Sequence, residues 1–567
     1  MIESVLRFYN SVTNKYRAKK YSKHIIVFFS IFILFTTGFY GAIKASHSYA
    51  TNSDALTYTY LVGDGLNRHQ IALPDQHANL IKLPFFYIQS LFPFHHASFM
   101  LFSIVLVMIT IGGWAYLLIR LFGRKYQVLI LILFAATLFT STQLDLQIAL
   151  TTVRNIELPI SLWFIFIISD LLKNRKFSRK YLYVSVVGFL LYSLVLAGDN
   201  YFEYAISLPL ILTIGWYWIQ TKRFTKYMSK ALLVIIAASV VGMIVKILSG
   251  VLGIIVLDKG GDFPNTLVTL QNLSPSITTA LKQLLNLQGA SIFGQTGIHL
   301  GLANLSIFIN FLFLIISVSG LLLIIFKTNS KILKLKSLTA NDNFIYFVVA
   351  ISYFIILFVY ILSGQVAQVL SNGQVSDLGQ IRYIAILPFL SIVGLVWIIK
   401  TYYRKHTYLI SGVILVCLFN IIMSYSSVRQ SYINTDNLTQ PSQTILKEIS
   451  SDLNKDNVTE ALTGYWYGAS LRFWSNNTIN FAVISSCNIP FGFNVREDWY
   501  KPSDDKLTAL VINRPNDGYW NCSDTQLLSI YGNPIKKQLI QGGLPGTYVD
   551  IWVYNYDVRD RLAPFPE

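Results

Sequence analysis

The chain has 567 residues, of which 53% are hydrophobic and 13% charged, and its mean hydropathy is +0.51. Soluble domains carry about 25% charged residues, so the charge needed to coat three or four water-soluble domains of this total length is absent. The apolar fraction excludes disorder and collagen, and three Cys exclude a disulfide-dense scaffold. The class that remains is a polytopic α-helical membrane protein.

A net charge of +17 raises the question of nucleic acid. Residues 426–567 hold 12 Lys and Arg against 15 Asp and Glu, whereas residues 1–425 hold 33 against 13. The bases of the first part lie in short clusters between apolar runs, not along one solvated face, so no nucleic-acid partner is expected.

Apolar stretches long enough for a hydrocarbon core of about 30 Å recur as far as residue 425. Eleven are read: 25–43, 98–119, 127–143, 157–172, 181–197, 203–219, 231–252, 304–326, 344–362, 383–399 and 408–425. They define a transmembrane domain over 25–425, preceded by a basic N-terminus, residues 1–24. Basic clusters precede the first span (Arg7, Lys15, Arg17, Lys19, Lys20, Lys23) and recur around residues 120–125, 173–180, 222–230, 327–336 and 400–405. These hold 25 of the 33 bases and all fall on one side of the eleven-span arrangement, while ten of the 13 acids fall on the other. Only Glu3, Asp170 and Asp342 break the pattern. By the positive-inside rule the N-terminus is cytoplasmic and the C-terminal segment outside. The first span follows a basic stretch, as a signal peptide would. Its 23-residue leader and the lack of an A-x-A site lead us to expect retention.

Two outside segments, 44–97 and 253–303, exceed simple turns. Within the second, Ser274 to Gln288 reads as an amphipathic helix, either lying at the membrane interface or packed on the bundle as a connector. Residues 426–567 change character. Strand-length runs at 458–463, 478–485, 507–512 and 547–554 alternate with candidate helices at 442–454, 466–475 and 523–531, which predicts a small α/β domain. Cys487 and Cys522 both lie in that outside domain, where a disulfide between them is expected. Tyr465-Trp466-Tyr467 and Phe473-Trp474 either pack its core or stack on sugar rings.

The chain has no G-x-x-x-x-G-K-[ST], no H-E-x-x-H and no G-x-S-x-G, so it lacks an ATP engine of that type and the zinc and serine-hydrolase sites those motifs mark. Lys246 is the one ionisable residue near a span centre, which weakens an ion-coupled transporter. The polar residues concentrate in the first outside loop. It reads Asn52-Ser53-Asp54-Ala55-Leu56-Thr57-Tyr58, then Pro74-Asp75-Gln76-His77, then Lys82-Leu83-Pro84-Phe85-Phe86-Tyr87. Arg154-Asn155-Ile156-Glu157-Leu158-Pro159 enters the fourth span. Arg382-Tyr383, followed by Pro388, enters the tenth.

This order resembles the GT-C superfamily of polyprenyl-phosphate-sugar-dependent glycosyltransferases, in particular its protein O-mannosyltransferase and aminoarabinose-transferase branch. There an acid followed by Tyr opens the first loop, a K-P-P-aromatic segment precedes the second span, and an R-Y-x-x-P pattern occurs late. The motifs cover about a tenth of the chain. Asp54-Ala55 stands where the family often has Asp-Glu, and Leu83 replaces the first Pro. The resemblance implies a GT-C-like helical fold, a polyprenyl-phosphate sugar donor, an extracytoplasmic glycan, lipid or protein acceptor, and substrate contacts at Tyr58 and Tyr383.

Sugar transfer from a lipid phosphate needs a carboxylate to take the acceptor's proton and cations to hold the departing phosphate. Asp54, about ten residues past the first span, is the candidate base, the alternative being a cap of its own turn. Arg154 and Arg382 are the candidate phosphate ligands, because a guanidinium forks phosphate with two hydrogen bonds. Interfacial anchoring, or pairing with Glu157 or Asp377, competes with that role. Lys82 has the same two readings. Asp145 and Glu157 either hold a divalent metal (Mg or Mn) and position the acceptor, or cap helices. His77 is a candidate substrate hydrogen-bonder, and Asp75 with His77 an alternative metal pair.

The reading is therefore a glycosyltransferase in a plasma membrane, prokaryotic by preference, with an inverting reaction. The alternatives are a lipid-linked glycan polymerase or ligase, an ATP-independent transporter or flippase, and a receptor carried by the C-terminal domain. The sidedness has a direct test. Single cysteines replacing Ser90 and Ser503 are both expected to react with an impermeant reagent on intact cells, and reaction of only one would put the two segments on opposite sides.

Overall fold

The structure is a computed structural model. It describes residues 16–49, 53–67, 73–74, 80–91, 96–139, 141, 144, 147–148, 154–173, 179–253, 255–256, 267–291, 302–332, 343–363, 381–403, 407–433, 443–491, 495–502, 507–514, 522–542 and 547–565. A long helix, α1 (Tyr16–Tyr49), is followed by α2 (Ser53–Asn67), the two-residue strand β1 (Leu73–Pro74), α3 (Leu83–Leu91), α4 (His96–Phe122), α5 (Gln127–Phe139), α6 (Glu157–Leu172) and α7 (Arg179–Gly198). A π-helical turn, Glu203–Ser207, leads into α8 (Leu208–Thr221). Next come α9 (Lys226–Val251), β2 (Ile255–Val256), α10 (Leu273–Leu287), α11 (Leu302–Ile332), α12 (Asn343–Leu362), α13 (Leu387–Tyr402) and α14 (Thr407–Ile433). β1 pairs in parallel with β2, which joins the two long loops that the sequence places on one side.

Six helical stretches are long and apolar enough to cross a membrane: His24–Ile43, Met100–Phe122, Tyr181–Gly198, Lys226–Val251, Asn304–Lys327 and Asn343–Leu362. The protein is a membrane protein, but among the described residues the count of eleven spans is not reached. The remaining apolar runs form shorter helices. α5 has 13 residues and α6 and α13 have 16 each, whereas α8, with 14, continues unbroken from the π-helical turn before it. At 1.5 Å per residue α5, α6 and α13 extend about 20–24 Å, short of a core of about 30 Å. In α14 the apolar part is Tyr408–Ser424. Hydropathy counted apolar residues without seeing where the helices stop.

Small and polar residues bring these helices together. Gly320 on α11 faces Gly394 on α13 so closely that a Cβ on either would strike the other helix's backbone. Asn420 donates to Asn310 at 2.7 Å, and Ser306 and Ser424 hydroxyls meet at 2.5 Å. Such contacts take the place of a hydrophobic drive where the surroundings are apolar too. Asp170, an exception to the charge pattern, is satisfied by Arg120 at 3.2 Å and by the Tyr181 hydroxyl. On α10 the polar stripe faces inward. Tyr360 donates to Gln283 at 2.6 Å and Ser276 to the Ile361 carbonyl at 2.5 Å, while Ile277 and Leu281 are exposed.

The C-terminal part comprises α15 (Gln443–Lys455), β3 (Glu460–Thr463), α16 (Tyr465–Trp474), β4 (Asn480–Val483), β5 (Thr508–Arg514), α17 (Asp524–Tyr531), β6 (Lys536–Gln541) and β7 (Tyr548–Tyr554). The sheet order is β4-β3-β5-β7-β6. The first three strands run parallel, and β7 and β6 join antiparallel. Strand alternation sorts the core. Ala461, Val511 and Ile551 face α15, while Leu462, Leu510, Ile512 and Trp552 face the other way. That second face is covered partly by α17 and partly by α2, whose Leu56, Tyr60 and Leu61 enter the same core. Tyr465, Tyr467 and Phe473 are buried in these two cores, as packing requires. Ser523 caps α17 through Gln526, and Gly532 ends it at φ 68°.

Cys487 and Cys522, 35 positions apart in sequence, form a disulfide with Cα atoms 5.2 Å apart. Arg514 donates to the Cys522 carbonyl and Tyr531 to that of Cys487, both at 2.8 Å. Closing a loop of this size stabilises by about 3–4 kcal/mol. Cys522→Ser is expected to lower the unfolding free energy of the α/β domain by that amount, read as a denaturation midpoint matching that of the reduced wild type.

Candidate active site at the helix ends

Four helix ends and one entering segment converge beside α2. The 3₁₀ turn Leu80–Lys82 leads into α3 and buries Lys82 completely. Its ammonium lies 3.0 Å from Glu157, the first residue of α6. Burial presses the Lys82 ammonium below the ordinary lysine value, and Glu157 pushes it back only in part. Glu157 also accepts the Asn155 backbone N–H at 2.9 Å, which suits a carboxylate in the first turn of a helix. Gly113 on α4 lets α6 approach, because a Cβ there would stand 2.7 Å from the ring of Pro159.

Arg154, also buried, reaches Asp199 just past the end of α7 at 2.7 Å. Its guanidinium lies 3.9 Å from the ring centre of Tyr201 and 5.0 Å from that of Tyr383. Arg382 lies 5.3 Å from the same Tyr383 ring. The Tyr201 hydroxyl donates to the Tyr383 carbonyl at 3.0 Å, tying the two stretches together. Two arginines distant in sequence therefore meet at one tyrosine. Lys82 pairs with Glu157 and Arg154 with Asp199, and Arg382 comes to the Tyr383 ring that Arg154 also approaches.

Next to Asp199 a cavity of ≈ 830 Å³ lies between α7 and α9, lined by Leu196, Asn200, Glu203, Ser239 and Lys246 among others. Ser239 donates to Glu203 at 3.1 Å. Val240, Met243, Ile247 and Val251 line the same cavity and are exposed on the outer surface of α9, so it opens along the helix flank. The π-helical turn at Glu203–Ser207 displaces this acid from regular α-helical register, a distortion that recurs at functional sites.

Lys82, Arg154, Glu157, Arg382 and Tyr383, all singled out by sequence, come together here. Tyr58 stands one layer away, stacked on Phe86 of α3 at 5.4 Å. Asp54 belongs to the first turn of α2, and its side chain lies outside the described residues, as do His77 and Asp145 entirely. Among the described residues no three His, Cys, Asp or Glu side chains gather as a metal site. Asp199, Tyr201 and Glu203 went unrecognised in the sequence, where Gly198-Asp199-Asn200 looks like an ordinary turn after an apolar run. Comparison with protein-family models gives no match, and comparison with curated proteins gives none either.

A buried pair is costly to break from one side. Lys82→Met is expected to destabilise the helical body by about 3–5 kcal/mol, and the double variant with Glu157→Gln to regain much of that. Thermal unfolding in detergent of the two single variants and the double would measure it. A loss for the double equal to the sum of the two single losses would mean that the two charges do not depend on each other.

Proposed function

We propose that the chain is a GT-C-like membrane glycosyltransferase that moves a sugar from a polyprenyl-phosphate donor to an acceptor outside the membrane. The observation that supports this reading best is the meeting of Arg154 and Arg382 at the Tyr383 ring. Two guanidinium groups at one aromatic ring suit a phosphate that gains charge as its bond to the sugar breaks. The neighbouring cavity along α9 suits a substrate that arrives within the bilayer, since its exposed lining is apolar.

In this reading an acceptor hydroxyl attacks the anomeric carbon from the face opposite the phosphate. The carbon–phosphate oxygen bond breaks, the lipid phosphate leaves towards Arg154 and Arg382, and Asp54 takes the hydroxyl proton. The configuration inverts. Glu157, enclosed with Lys82 and the Asn155 N–H, is a frame for the site and not a ligand for a divalent cation. The membrane is a plasma membrane, with the basic N-terminus in the cytoplasm and the α/β domain outside, on the strength of the charge asymmetry. A second reading, a lipid transporter without ATP, draws on the same flank cavity.

The two readings part on Asp54→Asn, which keeps size but removes the base. Purified protein in nanodiscs, offered a panel of polyprenyl-phosphate sugars, is expected to lose about 10²–10⁴-fold in rate with this change. Arg382→Lys keeps charge but loses the fork, and is expected to raise the donor KM as well as lower kcat. A rate for Asp54→Asn within about threefold of wild type would make Asp54 a cap. Wild-type protein that transfers no sugar from any donor while moving lipid between leaflets would favour the transporter.

A further inference from the structure

We propose that Arg472 of the α/β domain is a positioning residue that, through Asp64 on α2, fixes α3 and Lys82 at the edge of the Arg154–Arg382 site. The connection is continuous and each contact is specific. Arg472 donates from both terminal nitrogens to Asp64, at 2.6 and 2.8 Å, and from Nε to Asn477 at 2.5 Å. Its guanidinium lies 4.5 Å from the ring centre of Tyr60, one turn before Asp64. Trp499 donates its indole N–H to the same carboxylate at 2.8 Å. Asp64 thus enters a receptor made from α16, the turn after it and the 497–500 turn, all within the α/β domain.

The opposite side of α2 faces the helical body. Tyr58 and Val62 lie about 200° around the helix from Leu56 and Tyr60, and they pack with Leu80, Phe86 and Ala197. Thr59 donates to Gln89 on α3 at 2.9 Å, and Gly63 sits against Ser90, where an added Cβ would come within 3.1 Å. α3 begins at the residue after Lys82. A helix held by two hydrogen bonds and an indole on one side, and locked against α3 on the other, hands the domain's position on to the buried ammonium. Burial pushes the Asp64 carboxyl up, but the fork from Arg472, together with Trp499 and Arg496, outweighs it and leaves the group below the usual carboxylate range. The contact therefore stays ionised at neutral pH.

The catalytic part of this inference rests on the function proposed above, and the geometric part does not, so two measurements are paired. In hydrogen exchange on the full-length protein, Arg472→Ala is expected to speed amide exchange about tenfold in α2 and in residues 80–91, with strands β3 and β5 still protected. In sugar transfer, Arg472→Ala is expected to raise the donor KM about fivefold or more with kcat within about twofold, and Arg472→Lys to restore part of the loss. Unchanged exchange in residues 80–91 would overturn the positioning role whatever the activity. Should Arg472→Ala unfold the domain, Arg472→Lys decides: faster exchange confined to α2 and residues 80–91 supports the role, and exchange spread over β3 and β5 overturns it. Absence of transfer by the wild type would count against the proposed function and leave the exchange result standing.

Discussion

The fork between Arg472 and Asp64 makes the sheet domain and the helical body one object. Without it α2 would be a 15-residue amphipathic helix, too short to persist alone. With it, one flank of α2 completes the core of the sheet while the other packs on α3, α7 and α9. The α/β domain therefore does not begin at residue 426 in any physical sense. Part of the cover of one sheet face arrives from a segment some 400 residues earlier, as the separation of 408 between Arg472 and Asp64 records.

Residues 426–567 were the most legible in sequence, because there water contacts part of the surface and strand alternation and capping leave their usual marks. Ser523 and Gly532 bound α17 as their residue types require. One strand, Lys536–Gln541, escaped notice, since an edge strand with Lys536, Lys537 and Gln541 exposed has no apolar run to find. The helical body was less legible. In an apolar solvent every face of a helix is apolar, so hydropathy finds the run but not its ends, and it reads the short helices α5, α6 and α13 as full spans. α2 and α3 were missed for the converse reason. Asp54, Thr57, Thr59 and Asp64 make α2 look like loop, and its helix is sustained by packing on two sides.

At the site, the arginines outside the basic clusters were legible as charges wanting a partner, and their partners were not. Arg382 had been set against Asp377, which lies outside the described residues, and Arg154 against its near neighbour Glu157. Arg154 meets Asp199 instead, across the end of α7, and Glu157 meets Lys82. Local pairing fails here because the chain turns back at every helix end, so that charges adjacent in sequence point to different neighbours.

The two ion pairs differ in what an incoming anion could do with them. Lys82 and Glu157 are both almost wholly enclosed, and Glu157 has a second donor in the Asn155 N–H. Opening that pair would strand two charges in an apolar interior, so it serves as a fixed frame. Arg154 has one carboxylate partner in Asp199 and two aromatic walls, Tyr201 and Tyr383, that hold its plane without using its hydrogen bonds. Guanidinium groups held against aromatic faces keep the donors in their plane for hydrogen bonds, here to Asp199. Arg382 reaches the same tyrosine, its guanidinium 5.3 Å from the ring centre. A closed pair and an aromatic-walled one thus stand side by side at the end of the helical body, where Gly113 lets α6 approach α4.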